Sequence, residues 1–274
     1  MFRCLLFLKV TLTFSYALQI SEGNYIAYTN EVPVQLPNQK NYTSVYILDT
    51  DITILRPPYL SNLDNVEELV IGNAKYLQAI ADGVLNGSNL RKLVINVSGL
   101  KRIDGKALDN MPNLTEVTFT YGRLRKIASR WFKNSHNIEE LILSYNKIHS
   151  LTKLVFRNVY NVKYLSLDNN EISFVCPRAF WGLQRVETIV LTNNRIHGVD
   201  RMTFIYQTAL TALDLSGNDV TCFNDNVLYA LSKIKEFHRT ENPLVSSQRE
   251  QNERPNSLNY CISEVEPLSS IGCL

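Results

Sequence analysis

The residues able to do chemistry in this sequence are four histidines, five cysteines and pairs of adjacent acids such as Glu67-Glu68 and Glu139-Glu140. Such groups act as general acids and bases, nucleophiles or metal ligands when the fold brings them together. The chain contains no G-x-S-x-G, G-x-G-x-x-G, Walker loop, H-E-x-x-H or C-x-x-C motif, and these are the spacings typical of hydrolase, nucleotide and metal sites. We therefore expect a protein that is not an enzyme and that has neither a cofactor nor a metal ion.

A strict repeat along the chain positions all of these groups. It starts at Tyr42 and runs through nine blocks of equal length, numbered 1 to 9 here, without an insertion or deletion. The blocks begin at Tyr42, Val66, Leu90, Leu114, Ile138, Val162, Val186, Leu210 and Ile234. Each follows the pattern L-x-x-L-x-L-x-x-N-x-L-x-x-L-x-x-x-x-F-x-x-L-x-x. A repeat of this length predicts a solenoid, in which each block buries its apolar face against its neighbours.

Apolar residues recur at positions 4, 6, 11 and 19 of the blocks. Position 6 has one exception, Arg239, and position 11 includes Tyr76. The alternating L-x-L predicts one short strand per block, and these strands should stack into a parallel sheet. Two blocks then separate His149 from His197, which share position 12, by about 10 Å. That distance is too long for one metal ion, so we interpret both as solvated surface residues.

Position 9 explains the turn that follows each strand. In the second half it is asparagine, at Asn146, Asn170, Asn194, Asn218 and Asn242. Asparagine amides can bond the backbone of a buried turn, which has no access to water. Blocks 1 to 4 carry Thr50, Ala74, Ser98 and Gly122 there instead, so we expect a less regular first half.

These columns are the leucine-rich repeat pattern in its 24-residue extracellular form. The predicted fold class is α/β: a leucine-rich repeat solenoid with a curved parallel sheet on the concave face and mostly loops and short helical turns on the convex face. The predicted domains are a signal peptide (1–17), a cysteine-free N-terminal cap (18–41), eight repeats (42–233), and a degenerate ninth repeat with a C-terminal disulfide cap (234–274). In the N-terminal cap we expect strands at Asn24–Tyr28 and Val32–Leu36.

The start of the chain is typical of a secretory signal. Arg3 precedes a mostly apolar stretch from Leu5 to Tyr16, which ends in the small-x-small sequence Ser15-Tyr16-Ala17. The alternative, a membrane anchor, is disfavoured because the stretch is short and contains Lys9. We expect a secreted, extracellular protein without a membrane span. Four glycosylation sequons agree with this route: Asn41, Asn86, Asn96 and Asn113.

The outward strand positions (2, 3, 5, 7 and 8) form the predicted concave face. They hold eleven acids and four bases, a charge balance that disfavours nucleic acid there. Tyrosine is enriched at binding hot spots, and the tyrosines and acids of blocks 4 to 6 are therefore the predicted partner-binding surface. Its residues are Tyr121, Glu139, Glu140, Ile142, Tyr145, Tyr164 and Asp168. The alternative for the apolar members is simple β-propensity.

A second predicted surface, the basic flank, follows the strands of blocks 3 and 4. Its residues are Lys101, Arg102, Arg123, Arg125 and Lys126, with Arg130 and Lys147 nearby. Such a cluster is either a site for sulfated glycans or anionic microbial surfaces, or a solvated edge.

The C-terminal cysteines resemble a known family. The sequence Leu213-Asp214-Leu215-Ser216-Gly217-Asn218 leads to Cys222, Asn224 replaces the usual second cap cysteine, and eleven residues separate Cys261 from Cys273. This spacing, with the start Gly23-Asn24-Tyr25, resembles the secreted leucine-rich repeat immune proteins of mosquitoes (the LRIM family), in the short form that lacks a coiled coil.

The resemblance implies a disulfide between Cys222 and Cys261, which leaves Cys273 to bond another molecule. The alternative is a Cys261–Cys273 bridge. Pairing of Cys176 with Cys222 is disfavoured, because two blocks separate their Cα atoms by about 10 Å and a bridge needs less than about 7 Å.

Two functions follow as expectations. The first is a secreted, non-enzymatic protein of innate immunity that binds another protein through the acidic, tyrosine-bearing concave face. The resemblance implies a complement-like or other immune protein as the ligand. The second is an extracellular adhesion or receptor-like module without an immune role.

Overall fold

A computed structural model describes residues 16–21, 24–28, 42–60, 63–200, 202–221, 223 and 225–243. The predicted strand Val32–Leu36, the sequon at Asn41 and the cysteines Cys222, Cys261 and Cys273 lie outside these residues. The strands are β1 Tyr16–Ser21, β2 Asn24–Tyr28, β3 Ser44–Leu48, β4 Ile54–Leu55, β5 Glu68–Gly72, β6 Ala79–Ile80, β7 Lys92–Asn96, β8 Arg102–Ile103, β9 Glu116–Thr120, β10 Glu140–Ile142, β11 Ser150–Leu151, β12 Tyr164–Ser166, β13 Phe174–Val175, β14 Thr188–Val190, β15 Ala212–Asp214 and β16 Glu236–His238. A 3-10 turn spans Ser129–Phe132 and a helix, α1, spans Asp225–Leu231.

One eleven-stranded sheet organises the solenoid. Its order is β1-β2-β3-β5-β7-β9-β10-β12-β14-β15-β16. From β2 onward every pair is parallel, and from β3 onward each pair joins the same position of adjacent blocks, as Ser44 pairs with Glu68 and Ala212 with Glu236. The predicted solenoid with one strand per block is confirmed.

The N-terminal end of the sheet is closed by backbone pairing. β1 runs antiparallel to β2, with Tyr16 opposite Tyr28 and Ala17 opposite Ala27, and β2 pairs with β3 in parallel. The strand predicted at Asn24–Tyr28 is therefore present. Cleavage after Ala17 would remove the first two residues of β1, so the predicted signal peptide overlaps this strand.

The outer side of the solenoid departs from the strict period. Short strands there pair β4 with β6 and β6 with β8, and Ile54 lies opposite Ala79, which lies opposite Arg102. Block 2 thus has one extra residue before β6 and one fewer after it. The period holds on the inner sheet through block 2, but the prediction that position 11 of this block faces the core was wrong. As a consequence Leu77 is fully buried, while Tyr76, which the period had placed inside, is 48% exposed.

The core is a set of stacked columns. Position 19 places Phe132, Phe156 and Phe180 fully inside the coil and Phe204 nearly so. The rings of Phe156 and Phe180 are parallel with centroids 5.8 Å apart, and those of Phe180 and Phe204 are 5.3 Å apart. Each ring therefore fills the space between its neighbours, and the predicted column is confirmed.

The asparagines of position 9 bridge adjacent blocks. Asn170 donates its amide to the carbonyls of Leu143 and Leu167, both at 3.0 Å, and accepts the amide of Ile148 at 3.1 Å. The same set of bonds recurs at Asn146, Asn194, Asn218 and Asn242. The predicted role of this column is confirmed.

The first half differs in the length of its strands. The strands of the main sheet in blocks 1 to 4 have five residues each, as in β9, whereas those from β10 onward have three. Backbone pairing thus extends further where the asparagines are missing. Asn146 is the first asparagine of the column, and the side chain of the preceding block is absent at Gly122 because a Cβ there would lie 2.6 Å from Oδ1 of Asn146.

The last described blocks replace the core pattern with aromatic packing. Arg239 stands where other blocks have an apolar residue, and its guanidinium lies 5.7 Å from the ring of Phe223 and 5.8 Å from that of Phe237. Cation–π contacts therefore accommodate this exception. Within the described ranges, no helix is long and apolar enough to cross a bilayer.

Candidate binding surface on the concave sheet face

Ion pairs cover the floor of the concave face in blocks 2 to 6. Lys92 lies between two acids, with Nζ 3.8 Å from Glu68 and 3.2 Å from Glu116. The hydrogen bond and charge of Glu116 raise the pKa of Lys92, and Glu68 adds to this. Lys92 therefore stays charged at neutral pH and offsets the acids beside it.

Two further pairs flank this row. Arg91 lies 3.6 Å from Glu67, and Lys163 lies 2.7 Å from Glu139. Three of the four floor bases predicted from the sequence thus contact acids of adjacent blocks. Such exposed pairs contribute little stability, and their effect is to fix where charge stands on the surface.

Asp168 is the most constrained acid of the face. Its carboxylate accepts hydrogen bonds from the hydroxyls of Ser144 and Ser166 and, at 2.7 Å, from the side chain of Asn169. Burial acts to raise the pKa of Asp168, but these hydrogen bonds prevail and hold that pKa below its ordinary value. The result is a fixed negative charge in block 6, the last block of the predicted surface.

Tyr121 and Tyr145 form a stacked pair at the end of the strands. Their ring centroids are 4.6 Å apart with an angle of 15° between the planes, and the side chains are 53% and 44% exposed. Both residues have left-handed backbone, with φ of 58° and 56°. A bulky residue in this region is an outlier, so the pair occupies conformations that the backbone of tyrosine disfavours.

The turn itself imposes this conformation. Position 8 has positive φ in every described block except block 3, where Val97 is buried instead. Blocks 2, 6 and 7 fill it with asparagine and block 8 with glycine (Asn73, Asn169, Asn193 and Gly217). These are the residue types that tolerate positive φ. The repetition of asparagine and glycine at position 8 could have revealed this left-handed turn from the sequence, but it was not predicted.

The remaining predicted residues lie closer to the start of the strands. Glu140 is paired in the sheet with Glu116 on one side and Tyr164 on the other, and Ile142 is paired with Ser166. Tyr164 stands at position 3 and Tyr145 at position 8, so about 15 Å of strand separates these positions. The three tyrosines therefore do not form one aromatic column. The surface therefore has two parts. One is a tyrosine rim (Tyr121 and Tyr145), and the other is a row across the strands formed by Glu116, Glu140 and Tyr164.

The basic flank contains both paired and unpaired bases. Arg102 bonds Asp104 at 2.9 Å, and Lys147 bonds Glu171 at 2.8 Å. Arg123, Arg125 and Lys126 are exposed, and none of them forms an ion pair with another described residue. The flank follows the tyrosine rim directly, since Arg123 comes two residues after Tyr121.

The described sequons lie on exposed side chains. Asn86 contacts Asn110 at 3.4 Å, and Asn113 donates to Asn89 at 3.2 Å. Asn96 ends β7, where it is in register with Thr120, the residue before Tyr121. A glycan at Asn96 would therefore stand beside the tyrosine rim.

A second asparagine column was missed at position 24. Asn137 donates to the carbonyl of Pro112 at 2.7 Å and Asn161 to that of His136 at 2.9 Å, so these side chains bridge blocks at the start of the strands. They help to line a shallow polar cleft whose other members are Arg91, Asn113, Thr115, Glu139 and Arg185. The repetition of asparagine at one position of successive blocks could have revealed it.

Cys176 is fully buried and disulfide-bonded. Its partner lies outside the described residues, among Cys4, Cys222, Cys261 and Cys273. No disulfide at Cys176 was expected from the sequence. The pairing of Cys222 with Cys261 stays a prediction. In the described ranges, no group of three histidine, cysteine or acidic side chains is arranged to hold a metal ion.

Comparison with known proteins agrees with this architecture. Residues 136–195 and 184–244 match the family model "Leucine rich repeat", and residues 37–163 match "BspA type Leucine rich repeat region (6 copies)". No curated protein matches the chain. Among solved structures, the chain is similar to the TLR13 chain in "Crystal structure of TLR13-ssRNA13 complex", with a TM-score of 0.66 and 17% identity.

The similarity to that structure covers 75% of this chain and 33% of the other, so the chain spans about a third of that neighbour's length. At this level of identity the likeness concerns the fold alone. The family matches extend over residues 37–244 of the 274, the same part in which the strands recur once per block. This chain belongs to the leucine-rich repeat superfamily.

Proposed function

We propose that this chain is a secreted, non-enzymatic leucine-rich repeat protein that binds another protein through its concave face. The observation that carries the proposal is the tyrosine rim. Tyr121 and Tyr145 are exposed, they stack on each other, and they occupy left-handed backbone that asparagine fills in blocks 2, 6 and 7 and glycine in block 8. Backbone strain of this kind concentrates at functional sites.

The chemistry of the rim favours a protein ligand. A pair of fixed rings offers a large contact area at low conformational cost, as tyrosine does at protein interfaces. The adjacent acids, including Asp168 and Glu140, would attract a basic patch on the partner and repel phosphate. The solved neighbour was crystallised with RNA, but an acidic floor does not suit such a ligand in this chain.

The immune role belongs to the same proposal. It is supported by the resemblance of the cap cysteines to the LRIM family. The partner is then a complement-like or other immune protein. Secretion is supported by the apolar N-terminal stretch and by the sequons. The adhesion role remains the second candidate.

Affinity capture tests the binding face. The wild-type protein serves as bait in the extracellular fluid of its source, and captured proteins are identified by mass spectrometry. Tyr121→Asn with Tyr145→Asn should weaken capture of the partner by at least about tenfold, as hot-spot residues do. The matched control is Tyr76→Asn with Tyr229→Asn, which removes two exposed tyrosines at other sites. Equal capture by both variants would place the binding site elsewhere. Capture that does not change on infection would favour the adhesion role.

A further inference from the structure

Two groups of bases on this protein differ in whether they form ion pairs. On the concave floor, Arg91, Lys92 and Lys163 each contact an acid of a neighbouring block. On the flank, Arg123, Arg125 and Lys126 stand close together in one block without an ion pair among the described residues. The acids nearest in the repeat are already engaged, Asp104 with Arg102 and Glu171 with Lys147. The flank therefore keeps an uncompensated positive charge.

The solenoid arranges this charge as a ladder. Arg123 donates its backbone amide to Leu100 at 2.6 Å, and Arg125 accepts the amide of His149 at 3.3 Å, so the flanks of blocks 3 to 5 are stacked. Lys101 and Arg125 share position 12 and lie about 5 Å apart along the solenoid. Among the described residues, the ammonium of Lys101 contacts a neutral oxygen, that of Gln78 at 3.3 Å, and no acid. Four bases thus face solvent in two adjacent blocks.

From this arrangement we propose that Lys101, Arg123, Arg125 and Lys126 form a binding site for a sulfated polysaccharide. A linear polyanion can place successive sulfate groups against successive blocks, and the guanidinium of arginine bonds the oxygens of such anions in pairs. A nucleic acid strand is the less favoured ligand, because strand binding also uses aromatic rings on which each base stacks. The nearest rings, Tyr121 and Tyr145, are already stacked on each other.

This site is independent of the proposed protein ligand. It uses no residue of the concave floor or the tyrosine rim, and its charge has the opposite sign. The two surfaces meet between Tyr121 and Arg123, so the protein can hold a polysaccharide on its flank while the concave face stays open.

Binding to a heparin oligosaccharide tests the site. The variant Arg123→Ser/Arg125→Ser/Lys126→Ser should weaken the affinity at least about tenfold at physiological salt. It should also lower the slope of log K against log salt by about two to three, since each lost base contributes about one to the slope. The matched control, Lys133→Ser/Lys153→Ser/Arg157→Ser, removes three exposed convex bases and should change the affinity less than twofold. Thermal unfolding of each variant should match that of the wild type.

Three results would overturn the proposal. The first is no measurable binding of heparin by the wild-type protein. The second is an equal loss of affinity in the two triple variants, which would show a response to net charge alone. The third is tighter binding of a single-stranded RNA than of heparin, with the same loss in the flank variant, which would assign the site to a phosphate polymer. Retention of heparin binding in the Tyr121→Asn/Tyr145→Asn variant is expected, and it separates this test from that of the concave face.

Discussion

Tyr121 stacks on Tyr145 while both residues hold left-handed backbone, with φ of 58° and 56° and ring centroids 4.6 Å apart. The left-handed region costs an L-residue about 1–2 kcal/mol, and a stacked aromatic pair recovers about 0.5–1.5 kcal/mol. Stacking therefore offsets only part of the backbone strain of the pair. The rim adds little or nothing to stability, and its aromatic character needs another explanation, which binding provides.

The first prediction follows from this balance. Tyr121→Asn with Tyr145→Asn should leave the free energy of unfolding within about 1 kcal/mol of the wild-type value, because asparagine relieves the strained backbone as the stack is lost. Chemical denaturation followed by circular dichroism measures this quantity. A loss of several kcal/mol would mean that the pair is a structural element and not a binding element.

The second prediction concerns the phenylalanine column. Phe180→Ala should lower the free energy of unfolding by about 3–5 kcal/mol, because it opens a cavity between Phe156 and Phe204 that neither ring can fill. The neighbouring Trp181 is 42% exposed, and Trp181→Ala serves as the control with a loss of about 1 kcal/mol or less. Similar melting temperatures for the two variants would contradict the packing described for this column.

The third prediction concerns the asparagine column. Asn170→Ala leaves the buried amide of Ile148 without its acceptor, whereas the carbonyls of Leu143 and Leu167 each keep one amide donor, from Asn146 and Asn194. A buried polar group left without a partner costs about 1–3 kcal/mol, so urea denaturation should show a loss in this range. The exposed Asn137 makes one bond to the carbonyl of Pro112, and Asn137→Ala should cost less than about 1 kcal/mol.

The fourth prediction is a pH dependence at Asp168. Its pKa in the folded protein lies below the ordinary value of 3.8, so its ionised form stabilises the fold above that value. This stabilisation is lost as the pH falls from about 4 through the lowered pKa. The difference in unfolding free energy between the wild type and Asp168→Asn should stay constant from pH 7 to about pH 4 and shrink below it. A difference independent of pH down to about pH 2 would show that the hydrogen bonds of Ser144 and Ser166 do not act on a carboxylate.

The sequence predicted the solenoid well because the period is itself the physical signal. Leu165, Leu167 and Phe180 had to point inward if the blocks were to stack, and they do. The position of Tyr76 could not be obtained this way. A one-residue gain and a one-residue loss within block 2 cancel in the period, so only the pairing of β6 reveals them.

The binding surface was less predictable than the fold. Outward positions locate Glu140 and Tyr164 correctly in one row of the sheet, but they carry no information on backbone dihedrals. The strain at Tyr145 arises from a turn whose conformation the neighbouring blocks reveal through Asn169 and Gly217. Whether a base forms an ion pair also depends on whether its side chain reaches an acid in a neighbouring block. Lys147 reaches Glu171, whereas Arg123 forms no ion pair with another described residue.

The offset in block 2 shows that the two sides of the coil can change length independently. The pairs on the inner sheet join equivalent positions through this block, while the outer strands shift by one residue and then shift back. A change in the length of the outer segment therefore leaves every side chain of the inner face in place. The exposed residues Lys75 and Tyr76 are a natural position for grafting a foreign loop or an affinity tag, since exposed connections tolerate insertion.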